Sequence, residues 1–127
     1  MVDEKRVWMN WLEQAEADLD KAKVLFRSEN FDGVIFYSQQ SIEKGLKALM
    51  LKGGEKLVKT HNLIKLGRDV DLPENFSEDI KRLNEGYLNS RYDMMSEVIP
   101  ARRYSSEDGD IFIKLVLEVL KWIKRKV

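Results

Sequence analysis

FYSQQSIEKGLKAL, residues 36–49, carries the clearest structural pattern in the chain. It reads as the middle of a helix with three distinct sides. Gln40, Glu43, Lys44 and Lys47 stand at offsets of three, four and seven, which aligns four polar side chains on one stripe. Phe36, Ile42, Leu46 and Leu49 form a side suited to a core. Ser38, Ser41, Gly45 and Ala48 form a strip of small residues over which another helix can approach closely. Glycine inside a helix costs roughly 1 kcal/mol relative to alanine, so close packing gives a reason for Gly45.

Composition narrows what such a helix can belong to. A chain of 127 residues is read as one domain, 1–127, long enough for a real core. Lys plus Arg and Asp plus Glu both number 22, and this balance argues against a general nucleic-acid coat or a membrane-surface protein. The absence of Cys excludes disulfides, thiolate metal sites and a Cys nucleophile. The charged, polar start and the lack of a long apolar run lead to the expectation of a cytoplasmic protein without a membrane span.

Helical periodicity dominates the rest. Trp8, Leu12, Ala15, Leu19, Ala22 and Phe26 alternate steps of four and three, the seam of a first long helix. Asp18 falls beside that seam, so a partly buried acid with a partner is expected. Asn30 and Asp32 mark a turn and a new start, and the second helix runs to about Leu51, ended by Gly53-Gly54. Thr60 is expected to cap a short helix through Val70. Pro73 marks a break, and Phe76, Ile80, Leu83 and Tyr87 define a further seam with Arg91 one turn beyond. Pro100 is read as the end of that region, with Arg102 and Arg103 in the loop after it. Ser105 and Asp108 form a capping box that opens the last helix. No strand pattern persists. The expected fold is all-α, an antiparallel up-and-down bundle of four long helices plus one short helix.

The last helix carries Ile111, Phe112, Ile113, Leu115, Val116, Leu117, Val119, Leu120, Trp122 and Ile123 around most of its circumference. Charge is confined mainly to Lys114, Glu118, Lys121 and Arg125. A small bundle does not easily enclose such a helix, so a homodimer interface that includes it is expected.

Several constellations are missing. Gly53-Gly54 lacks the spacing of a phosphate loop. His61 is the one histidine, which excludes a His-cluster metal site, and no tight carboxylate pattern suggests another; no metal or cofactor is expected. What remains is a scattered polar group: Lys44, Lys47, His61, Arg91, Tyr92, Arg102 and Arg103. Arginine and lysine around a cleft suit phosphate, and tyrosine offers a stacking face. Each of Lys44, Lys47, Arg102 and Arg103 also reads as an ordinary solvated charge. Arg91 follows a core seam, which suits either a ligand contact or an ion pair with Asp18 or Glu43. His61 also reads as a packing histidine at a helix start.

The same residues resemble a known family. WLEQAEADLDKAKVL in the first helix, FYSQQSIEKGLKAL in the second, THNL at 60–63 and SRYD at 90–93 together, in this order, are similar to the HEPN domain, a small all-helical domain. The resemblance covers nearly the whole chain and implies a helical bundle that commonly dimerises. Many HEPN proteins are metal-independent RNases, often toxins, that use an Arg followed within two helical turns by a His. Arg91 matches the Arg, and no His follows it. Other members are stand-alone prokaryotic partners of small MNT-type nucleotidyltransferases in toxin–antitoxin-like pairs, and this chain resembles that branch better. Carried onto this sequence, the resemblance makes Gln40, Glu43, Lys44, Lys47, His61, Arg91 and Tyr92 the candidate site, to which the residues add Arg102 and Arg103.

The leading expectation is therefore a homodimer that binds a nucleotide or a nucleotidyltransferase partner without catalysis. The alternatives are a divergent RNase acting on RNA through Arg91 with Tyr92 or Glu97, and an interaction module whose polar stripe is an internal salt-bridge network.

Overall fold

The computed structural model describes residues 3–92 and 97–127, without the side chains of residues 90–92. Helices α1 (Glu4–Arg27), α2 (Phe31–Lys52), α3 (Leu63–Asp69), α4 (Ser77–Tyr92), α5 (Pro100–Arg103) and α6 (Ser106–Lys126) follow one another, with a 3₁₀ turn at Glu74–Phe76 before α4. No strand occurs among the described residues. The all-α bundle expected from the periodicity is the observed architecture.

The small-residue strip explains the central packing. The Ser41 hydroxyl donates to the Ala15 carbonyl at 2.6 Å, so α1 and α2 touch backbone to side chain. A Cβ on Gly45 would lie 2.9 Å from both Ile123 Cδ1 and Leu120 Cδ2, so α6 packs against α2 where α2 has no side chain. Gly33 beside Leu25 and Lys44 beside Asp18 set α1 and α2 antiparallel. Phe26 beside Gly109 and Glu16 beside Lys124 set α1 and α6 antiparallel as well. Helix α4 closes the other side of α2, with Gly86 near Ile35 and the Tyr87 ring near Phe36. The core holds Ile42 and Leu46 from α2, Ile80, Leu83 and Tyr87 from α4, and the inner face of α6.

That inner face is wider than the sequence suggested a single chain could cover. Phe112, Leu115, Val116, Val119, Leu120, Trp122 and Ile123 are all buried, Ile111 and Ile113 are partly buried, and only Leu117 among the large apolar residues of α6 is exposed. The premise that a small bundle cannot enclose this helix is thus corrected. Helices α1, α2 and α4 enclose it, and Gly45 on α2 omits the Cβ that would meet Leu120 and Ile123 of α6.

Local chemistry sets the ends. The Ser105–Asp108 capping box is formed at the start of α6. Asn62 rather than Thr60 caps α3: its side chain accepts from the amides of Ile64 and Lys65, while Thr60 Oγ1 accepts from Asn62 itself. Pro100 begins α5 instead of ending a segment, because its missing N–H falls at a position where no helical bond is due. Arg102 and Arg103 therefore lie on a helical turn and not in a loop.

Helices α1, α2 and α3 all end in the same two-bond motif. The amide after the left-handed residue reaches back to Leu25, Met50 and Gly67 carbonyls at 2.8, 3.0 and 2.8 Å. The left-handed residue is Gly54 in α2, but Glu29 (φ 61°) in α1 and Asp71 (φ 56°) in α3. A side chain in this conformation is disfavoured relative to glycine, partly offset by the greater unfolded-state freedom of glycine. Glu29→Gly and Asp71→Gly are each expected to stabilise the fold by about 0.5–1 kcal/mol, measured as a higher midpoint in urea unfolding at unchanged slope.

Candidate functional site

The polar stripe of α2 is mostly inside the protein. Glu43 and Lys47 are only 4% and 5% exposed. Burying either charge alone would be prohibitive, so each needs a partner. Glu43 Oε2 accepts from Lys47 Nζ at 3.1 Å, one helical turn along, and the ammonium also lies 5.9 Å from the centre of the Trp11 ring. Glu43 Oε1 meets His61 Nδ1 at 2.9 Å. Gln39 Nε2 donates to the His61 carbonyl at 2.7 Å, and Asn84 Oδ1 accepts from the Leu63 amide at 3.1 Å. The strand of chain before α3 is thereby fastened to both α2 and α4. The His61 ring itself stays 65% exposed.

Lys44 leaves this group. Its ammonium lies 2.6 Å from Asp18 Oδ2, while Gln14 Nε2 donates to Asp18 Oδ1 at 3.0 Å and Lys21 stands 3.5 Å from the same oxygen. Asp18 is 1% exposed, so the partner expected for it is present. Gln40 departs in a third direction and donates to the Tyr87 hydroxyl at 3.4 Å. The structure therefore brings together Glu43, Lys47 and His61, and separates them from Lys44 and Gln40. The reading of Lys47 as a solvated charge is corrected, and Lys44 is tied to a buried acid.

The side chains of Arg91 and Tyr92 lie outside the described residues. Their place on α4 is described: Arg91 stands one turn past Tyr87 and seven residues past Asn84. Asn84 and Arg91 stand about 10 Å apart along the α4 axis, and Asn84 holds Leu63, two residues after His61. Glu97 is exposed. Arg102 is exposed and its side chain makes no hydrogen bond or ion pair among the described residues. Arg103 is half-buried and donates to the Val98 carbonyl at 3.1 Å.

Tyr104 and Arg82 were not singled out by the sequence. The Tyr104 hydroxyl donates to the Gly86 carbonyl at 3.2 Å, and Gly86 carries no Cβ that would crowd it. Burial raises the Tyr104 phenol above its ordinary pKa, against the lowering effect of its hydrogen bond with Arg103. A shallow notch of about 270 Å³ lies here, lined by Arg82, Asn89, Arg103, Tyr104 and Phe112 among others. A cleft of about 460 Å³ between α3 and the start of α4 includes Arg68, Asp71 and Glu74 but none of the predicted site residues. Among the described residues, no helix is long and apolar enough to cross a membrane.

Two outcomes test this geometry. Glu43→Ala leaves the Lys47 ammonium buried without its carboxylate and is expected to cost about 3–5 kcal/mol. Adding Lys47→Met should recover most of that loss, as seen in a double-mutant cycle of unfolding free energies. Tyr104→Phe is expected to cost about 1 kcal/mol at neutral pH. Because the folded-state phenol pKa is raised, its stabilisation is complete below the unfolded value and fades as pH rises past about 10. The gap between wild type and Tyr104→Phe should therefore narrow above that pH.

The family model described as the HEPN domain matches residues 8–126. A Methanocaldococcus jannaschii protein named a putative toxin is 27% identical over 128 residues, covering 90% of this chain and 84% of that protein. A crystal structure of a Thermus thermophilus protein superimposes with a TM-score of 0.86 at 29% identity, covering 94% of this chain and 98% of the other. A crystal structure of an archaeal HEPN homologue gives a TM-score of 0.80 at 28% identity, covering 93% and 95%. With a match that runs from Trp8 almost to the C-terminal residue, and with the same bundle in both solved structures, the chain belongs to the HEPN domain family.

Proposed function

We propose that this protein is the HEPN half of a toxin–antitoxin-like pair and acts by binding a protein partner, a small MNT-type nucleotidyltransferase, as a homodimer. One observation carries the choice of protein partner over free nucleotide: Lys47 is neutralised by Glu43 and Lys44 by Asp18. The two lysines that would have cradled a phosphate from α2 already serve buried carboxylates. The name of the Methanocaldococcus relative supports the toxin-like setting. The chain's only histidine precedes Arg91 in the sequence and is bonded to Glu43, so the reading does not require catalysis by the family's Arg-to-His pair.

Metal-independent RNase activity through Arg91 is the second reading, favoured by that toxin name and by the retention of Arg91 at the end of α4.

Co-expression with the product of the adjacent gene tests the first reading. A stable complex on size exclusion is expected, with light scattering giving a dimer for this chain alone. Arg91→Ala should weaken the complex at least tenfold while the melting temperature changes little. A monomer at high concentration, or a neighbour that does not bind, overturns the reading. RNA cut in the presence of EDTA by wild type but not by Arg91→Ala would install the RNase instead.

A further inference from the structure

Residues 55–62 connect α2 to α3 without a helix, a turn or a bend. Both ends of this stretch are fastened. The Glu55 amide donates to the Met50 carbonyl at 3.0 Å. At the other end Gln39 holds the His61 carbonyl, Glu43 holds the His61 ring and Asn84 holds the Leu63 amide.

Between the fastenings, exposure alternates. Leu57, Lys59 and His61 are exposed, whereas Val58 and Thr60 are half-buried, and Val58 packs against the core. A period of two marks an extended chain that lies with one face on a surface. Val58 and Thr60 are also β-branched, which suits that conformation.

The main chain of the stretch is unused. The amides of Lys56, Leu57, Val58, Lys59, Thr60 and His61 donate to no acceptor among the described residues, and the carbonyls of 56–60 accept from no donor there. A row of unpaired main-chain groups on a fastened, extended segment is an edge to which a further strand can add. Fastening it beforehand removes part of the ordering cost that such binding carries.

The outward side chains say what adds. A pairing strand sets its own outward residues beside Leu57 and Lys59. Leu57 is 44% exposed. Lys56 and Lys59 are exposed and make no ion pair among the described residues, and Glu55 is the one acid between Gly54 and His61. We infer that residues 56–60 are a strand-addition site for an extended segment of a partner protein. That segment carries an apolar residue and a carboxylate two positions apart, the first beside Leu57 and the second beside Lys59. The inference goes beyond the nucleotidyltransferase reading, since it invokes neither Arg91 nor any activity of the partner.

A phage-displayed library of random dodecapeptides, selected against the whole protein, tests it. The selected peptides are expected to share an apolar residue and an Asp or Glu at a spacing of two. With one of them bound as a synthetic peptide, alternate amides among 56–60 should exchange with deuterium at least tenfold more slowly by NMR. Alternation is expected because a strand bonds every second residue along one edge. Lys59→Glu should weaken binding at least tenfold without moving the melting temperature. The same peptide with its acid changed to Lys should bind that variant and not the wild type. Selection of no peptide, peptides without that spacing, protection elsewhere in the chain, or equal binding by Lys59→Glu overturns the inference. So does slow exchange of these amides in the free protein, since the edge would then already be occupied.

Discussion

Everything in this bundle depends on how closely other helices approach α2. Gly45 lets α6 sit where a Cβ would collide, and Ser41 lets α1 come near enough for its hydroxyl to bond a main-chain carbonyl. With α4 and the chain before α3 on the remaining side, little of the middle of α2 faces open water. A polar side chain there has two options: it finds a partner, or the fold loses several kcal/mol. Glu43, Lys47, Ser41 and the amide nitrogen of Gln39 find one, and Asp18 on α1 is drawn into the same rule through Lys44, whereas Ser38 Oγ and Gln39 Oε1 are buried without a partner among the described residues.

This changes what the family-like Glu-Lys-x-x-Lys spacing in α2 does in this protein. Glu43 uses one carboxylate oxygen for Lys47 and the other for His61. It closes the helix's own charge and pins a segment that has no regular structure of its own. Such pairs contribute little net stability against an apolar core, yet they fix which groups can meet. An ion pair between adjacent turns of one helix, with a third bond to a distant segment, sets the position of α3 more firmly than apolar contact alone.

How much of this could be read beforehand follows from what a helical pattern encodes. The angles between residues gave the bundle, the seams of α1 and α4, the small-residue contact strip and the box at Ser105–Asp108. They also predicted a partner for Asp18. An angle does not say what lies opposite. Lys47 and Lys44 share a stripe, yet Trp11 and Glu43 cover one while Asp18 takes the other, and only the helix crossings decide that. The breadth of apolar surface on α6 was legible, but not that Gly45 makes room to bury it within one chain. The α3 cap shifted from Thr60 to Asn62 because both can cap and one preorganises the other. Tyr104 gave no signal, since its role depends on a glycine eighteen residues away.

With Glu43 paired to Lys47 and Asp18 to Lys44, the proposed function draws on the far end of α4. There the constraint runs the other way. Gly86 omits a side chain so that Tyr104 can reach the α4 backbone, and that bond fastens the end of a short helical turn to α4 while the Tyr104 ring packs at the edge of the core. The buried ion pairs absorb the charges of α2 into the scaffold, whereas Arg102 at the α4–α5 end is exposed and makes no ion pair among the described residues.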